Sequence, residues 1–172
     1  GGETKVILDE TFDGSLGSFS SYDVDGDQVW EWANFDGGCA KMTGYANDTR
    51  YPNEDWLISP GMDLSDIVNT TMNIREAVNF IFGDWENVEV LVSTDYEGTG
   101  DPGQNGSWDV ISLNSRPPGN NWDFEDSGDI DLTDYDGESE VYVAFRYIST
   151  SDNACTWEVS AVKIEGETTL PW

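Results

Sequence analysis

Apolar residues fall at every second position in several short runs of this chain, the pattern of half-buried strands. In 140–149, Val141, Val143, Phe145 and Tyr147 lie on one side, with Tyr142, Ala144, Arg146 and Ile148 on the other. Val88, Val90 and Val92 repeat the period of two within 87–94. Further β-branched and aromatic runs occupy 5–12, 28–33, 39–45, 55–59, 70–81, 107–113 and 156–165, each bounded by Gly, Asn, Asp or Pro. No segment sustains a helical period over three turns, and Leu64–Val68 is long enough for one short turn only. A series of roughly nine or ten strands punctuated by turns predicts an all-β, antiparallel sandwich or barrel. Without a linker or an internal repeat, residues 3–168 are expected to form one domain. The polar, Gly- and Pro-rich stretches 95–106 and 114–128 are the long loops on which binding is expected to reside.

Charge narrows the class of partner. Against 35 Asp and Glu stand 7 Lys and Arg, a formal net charge of −28. Such a surface repels a nucleic-acid backbone and anionic lipid headgroups, so neither is an expected partner. A hydrophobic share of 37% separates the chain from disordered acidic tails. No run approaches the ~20 apolar residues of a membrane span, so this domain is not expected to insert directly into a membrane. The opening Gly1-Gly2 reads as a trimmed end, which leaves localisation to be inferred indirectly.

Histidine is absent, which removes His-dependent triads and the usual zinc sites. Cys39 and Cys155 are the two cysteines; they form either a disulfide closing a long loop or two buried free thiols. Any two of so many carboxylates can be drawn as a glycosidase pair, and nothing marks two of them as special. Neither a Walker loop nor a GxGxxG fingerprint is present. The chain is therefore not expected to be an enzyme, with a glycoside hydrolase as the remote alternative.

Two features carry candidate chemistry. In Asp23-Val24-Asp25-Gly26-Asp27 the alternating carboxylates can converge on a hard cation such as Ca2+, with Gly26 letting the backbone turn. The spacing is not that of an EF-hand, and the alternative is a solvated turn. The acidic residues between Asp123 and Asp136 read as a solvated face. The second feature is eight tryptophans, whose faces can stack on sugar rings beside polar neighbours. Trp30, Trp56 and Trp157 lie inside strand-like runs and are expected in the core. Trp85 and Trp122, in turns or loops, are expected to be exposed and, with Tyr96, are the candidate ligand-binding residues.

The order of motifs resembles the cleaved-adhesin and choice-of-anchor J group of bacterial surface domains. It runs through Glu10-Thr11-Phe12, Asp23–Asp27 with Trp30, and Glu54-Asp55-Trp56-Leu57-Ile58-Ser59-Pro60. It continues with Asp63-Leu64-Ser65, the Val-Leu-Val-Ser-Thr-Asp run at 90–95, and Trp108. Ile130-Asp131-Leu132, Val143–Tyr147 and Thr156-Trp157-Glu158-Val159 complete it. The resemblance implies a jelly-roll β-sandwich with calcium at its edge, extracellular or on the bacterial outer surface. It also implies a non-catalytic role, adhesive or carbohydrate-binding, with a glycan or a host or matrix protein as partner. Glu10 matches the family's opening Glu and is a further expected metal ligand. The chain departs from the family where Trp-x-Ile-Asp-Asn becomes Trp157-Glu158-Val159-Ser160-Ala161, and Glu158 is the expected stand-in for the missing carboxylate. A structural spacer in a larger surface protein is the alternative function.

Overall fold

The structure, a computed structural model, describes residues 2–169. In chain order the strands are β1 (Thr4–Glu10), β2 (Ser20–Asp25), β3 (Glu31–Ala33), β4 (Cys39–Thr43), β5 (Tyr45–Ala46), β6 (Thr49–Arg50) and β7 (Asn53–Ile58). Then follow β8 (Ile67–Asn79), β9 (Val88–Ser93), β10 (Asp109–Val110), β11 (Glu125–Asp126), β12 (Ile130–Asp131), β13 (Tyr142–Ser149) and β14 (Thr156–Thr168). Every strand pairing is antiparallel. One sheet has seven strands, in the order β11-β8-β14-β4-β3, with β1 also on β14 and β12 also on β8. The opposing sheet runs β10-β9-β13-β7-β2, and β5 and β6 form a separate hairpin. The result is a jelly-roll β-sandwich, with β8 and β14, each 13 residues long, as the spine of the larger sheet.

The core forms where the predicted alternation puts it. Val141, Val143, Phe145 and Tyr147 point inward with Val88, Val90 and Val92, all of them buried. They meet Met42, Met72, Ile74, Val78, Trp157, Val159 and Val162 from the larger sheet. Aromatic rings thread this core, with Trp30 and Phe145 each against Trp157 at centroid distances of 5.4 and 5.6 Å. At roughly 1.5–3 kcal/mol per fully buried large apolar side chain, this layer supplies the main drive for folding.

Trp56 is also buried, but on the far side of the smaller sheet. There Trp56, Ile58, Leu91, Tyr96, Tyr142 and Ala144 form a second apolar cluster, closed by Trp108. Loop 95–107 folds over it, drawn shut by Asp95, whose carboxylate accepts from the backbone and hydroxyl of Ser107 at 2.7 and 2.6 Å. Expected as a binding loop, this stretch instead roofs the smaller sheet.

The segment 114–128 is fixed differently, by a buried ion pair. The Arg116 guanidinium meets the Glu76 carboxylate at 2.8 Å, donates to the Val88 carbonyl at 2.7 Å and stacks over Trp85, 4.8 Å from the ring centroid. Glu76 also accepts from the Trp157 indole at 2.9 Å. Removing one partner of a buried pair strands the other charge. Glu76→Gln is therefore expected to lower the unfolding free energy by about 3 kcal/mol, measured in urea. The double replacement Glu76→Leu with Arg116→Met should restore much of that loss.

Several expectations meet corrections here. The run 28–33 pairs only as β3, and 107–113 only as β10. The strand β2 contains Asp23 and Asp25, which sequence reading assigned to a turn. It is an edge strand with mostly exposed side chains, so no apolar alternation announces it. Cys39 and Cys155 are both buried free thiols. In the β4–β14 register Thr43 faces Thr156 and Ala40 faces Val159. The two cysteines thus lie at opposite ends of the paired stretch, roughly 16 Å apart at the rise of a strand, beyond the reach of a disulfide.

Candidate binding cleft

The outward side of the larger sheet carries Lys41 and Thr43 on β4 and Thr156 and Glu158 on β14, the side chains that alternate with the buried Met42 and Trp157. Thr156 stands opposite Thr43, and Glu158 opposite Lys41. Around this polar floor rise aromatic walls. Trp122, Phe80 and Phe82 stand on one side and Tyr45 and Arg50 of the β5–β6 hairpin on the other, enclosing a cleft of about 430 Å³. Beyond Lys41 and Trp122 it continues into a second lobe of about 300 Å³ lined by Phe35, Phe124 and Glu158. Phe35, Tyr45, Phe80, Phe82 and Trp122 are 48–69% exposed, and no other aromatic side chain among the described residues is as open.

The walls are held by local geometry. Phe80 and Phe82 adopt φ of 62° and 49°, the left-handed region that bulky residues avoid. Such strain persists only where surroundings impose it, and it gathers at functional sites. Here the Asn79 side chain accepts from the Phe80 amide at 2.8 Å, and the Ile81 amide donates to Gly119 O at 3.1 Å. Gly119, at φ 89°, lies so close to Ile81 and Trp85 that a Cβ would collide with both. Trp122 meets the edge of Phe80 at 5.8 Å. Segment 114–128 thus delivers Trp122 and Phe124 to the cleft.

Of the three expected ligand-binding aromatics, Trp122 is in the cleft and the other two are not. Trp85 is half-buried beneath Arg116, supporting the wall from behind. Tyr96 is buried under its own loop, its hydroxyl donating to Gly100 O at 3.0 Å. Sequence reading misses Phe80 and Phe82: Phe80 falls within the run 70–81, read as strand to its end although β8 stops at Asn79, and Phe82 falls in the turn that follows. It missed Lys41 and Arg50 as well. The signal available was the Phe80-Ile81-Phe82-Gly83 string, two aromatics abutting a turn glycine.

The five expected metal ligands do not meet at one point. Glu10 closes the loop after β1, accepting from the Phe12 and Ser18 amides at 2.9 and 2.7 Å. Glu158 lies in the cleft. At Ser160, where the family pattern has a carboxylate, the hydroxyl donates to Asp36 at 2.6 Å, and Asp36 pairs with Arg75. That corner is therefore held by a guanidinium. Asp23, Asp25 and Asp27 remain exposed at the β2 edge. Gly26, at φ 96° against Asn53, makes the tight turn expected of it. Among the described residues no three acidic or cysteine side chains converge on a metal position.

Beside β2, however, lies Asp55, 1% exposed and opposite Asp23 in register, with one carboxylate oxygen lacking any hydrogen-bond partner. Burial, reinforced by the Asp23 charge, pushes its pKa to about 8. A raised carboxyl pKa favours the folded state when protonated, so this contribution is present below the ordinary value near 4 and is lost as pH rises through 8. In chelator-containing buffer Asp55→Asn should therefore be more stable than the parent at pH 8–9, on the order of a few kcal/mol. It should lose that advantage near pH 4, as read by urea unfolding across the range.

No protein-family model matches the sequence, and no curated protein does. Solved structures do match. The K3 cleaved adhesin domain of Lys-gingipain from Porphyromonas gingivalis superposes with a TM-score of 0.63 at 18% identity, over 95% of this chain and 99% of that one. The K1 domain of the same protein gives 0.59 at 20% identity, over 95% and 98%. A family 4 carbohydrate-binding module gives 0.51 at 14%, over 91% and 100%. No helix among the described residues is long and apolar enough to cross a membrane. In fold, this chain is a jelly-roll sandwich of the kind seen in the cleaved adhesin domains and in carbohydrate-binding modules.

Proposed function

We propose that this chain is a non-catalytic binding module for glycans, displayed outside a bacterial cell, with the larger sheet's cleft as its site. The observation that carries the reading is the gathering of the exposed aromatic rings around a floor of Lys41, Thr43, Thr156 and Glu158. Aromatic faces pack on the C–H side of sugar rings, and the polar floor bonds their hydroxyls. A spacer has no use for such a face, and an open cleft of two adjoining lobes, about 430 and 300 Å³, has room for a chain of sugars. The two lobes hold one carboxylate, Glu158, whereas glycosidase acid–base chemistry uses two. Trp122→Ala should weaken binding to the best-bound saccharide of a glycan array at least tenfold, about 1.4 kcal/mol, without lowering the melting temperature. Unchanged affinity in that variant would place the site elsewhere.

Calcium belongs to the same reading at the β2 edge. The orphaned oxygen of Asp55, facing Asp23 with Asp25 beside it, suits a hard cation that takes over the role of the proton. Asp23 and Asp55 are the two facing carboxylates that would hold it, Asp25 beyond the adjoining bulge would have to turn in to join them, and Glu10, Asp27 and Glu158 are not needed. Calcium in excess should then raise the melting temperature by several degrees over EGTA at pH 8. Asp55→Asn should abolish the rise, and an equal shift in both proteins would remove the site.

A further inference from the structure

Glu158 is the least expected group in the cleft. Its residue is 2% exposed, yet it lies on the outward side of β14 and its carboxylate borders the second lobe. Burial raises its pKa and the charge of Lys41 opposes the rise, while no described residue hydrogen-bonds to it. Lys41 faces it from the neighbouring β4, but the ammonium reaches over the Phe35 ring, 5.3 Å from the centroid, and forms no ion pair with it. The lobe otherwise consists of Phe35, Phe124 and Trp122, which offer ring faces and edges rather than a second carboxylate or hydroxyl.

A buried carboxylate without donors is costly, and the cost is recovered when something supplies them. The Glu158 oxygens keep a small area facing the lobe, so a ligand that enters must supply the donors that water otherwise provides. Neighbouring hydroxyls on one sugar ring are two such donors, spaced to meet the two carboxylate oxygens. The Lys41 ammonium can then donate to an oxygen of the same ring while the aromatic walls cover its C–H face. A uronic acid would instead set a second carboxylate against Glu158 in a low-dielectric lobe, where like charges repel strongly.

We infer that Glu158 is the specificity-determining residue of the cleft, selecting an uncharged sugar ring with two adjacent free hydroxyls and rejecting uronic acids. This rests on the glycan reading and narrows it to neutral saccharides. A site built to bond a hydroxyl discriminates sharply against ligands that lack it.

The test is calorimetric titration of wild type, Glu158→Gln and Trp122→Ala. The probes are cellotetraose, laminaritetraose, β-1,4-galactotetraose and mannotetraose, with tetragalacturonate and tetramannuronate as acidic counterparts. The expected result is binding of at least one neutral tetrasaccharide, weakened tenfold or more by Glu158→Gln, and no uronate binding to wild type. O-methylation of the bound sugar's adjacent hydroxyls should cost wild type a similar factor, a measurement that needs no variant to fold. A uronate bound more tightly than every neutral probe would overturn the inference. So would a neutral affinity unchanged within twofold in Glu158→Gln but lost in Trp122→Ala, an outcome that leaves the glycan reading standing. If wild type binds none of the probes, the glycan reading falls together with this one.

Discussion

The buried pair of Glu76 and Arg116 is the contact on which the aromatic wall of the cleft depends. Elsewhere segment 114–128 is tied to the sheet at Gly119, through Ile81, and near its end, by Ser127 to Ile74 and Asp126 to Arg75. Its regular pairing is confined to the two residues of β11, and much of the rest is polar and exposed. The guanidinium converts that irregular stretch into a fixed wall by bonding at once to β8, to the backbone at the start of β9, and to the faces of Trp85 and Trp157. The Gly119 contact with Ile81 then passes the same constraint to Phe80 and Phe82. A charge buried against carboxylate, carbonyl and rings favours one arrangement, and loops that must present a preformed surface benefit from that rigidity.

The two outer faces of the sandwich have opposite fates. The smaller sheet puts Trp56, Leu91 and Tyr142 outward, and loop 95–107 closes over them with Tyr96 and Trp108. The larger sheet puts Lys41, Thr43, Thr156 and Glu158 outward, and the loops around it rise as walls without closing. A sheet with an apolar outer side must be roofed to stay out of water, whereas a polar one can stay open beneath a ring of aromatics. The distribution of apolar residues between the sheets therefore decides which face stays open.

Much of the fold was legible because β9 and β13 carry inward alternation, while β14 keeps it on either side of a bulge at Val159–Ala161, and the aromatic character of Trp30 and Trp157 fits a packed centre. The edge strand β2 was not, because its polar side chains pair through backbone alone. Trp122 could be read as exposed, following Pro117-Pro118-Gly119-Asn120-Asn121 in a loop-like stretch. Trp85 and Tyr96 stand in the same kind of sequence yet fold inward, since what buries them is Arg116 in one case and the returning loop with Trp108 in the other. The cleft is assembled from residues 35, 41–50, 80–82, 122–124 and 154–158, and only the pairing of β4 with β14 brings these together. Glu158 shows the same limit. Its place in a strand and its charge were visible, but its position on a cleft floor, rather than at a metal, depends on which way β14 faces.

The most direct test of the central claim is to map where a bound saccharide touches the protein. Backbone amide chemical shifts would be recorded by NMR as a neutral tetrasaccharide is titrated. Perturbations centred on Lys41, Thr43, Phe80, Phe82, Trp122 and Glu158, with residues 95–108 unmoved, are the result this account predicts. Perturbations concentrated on residues 95–108, or on the β2 edge, would contradict it.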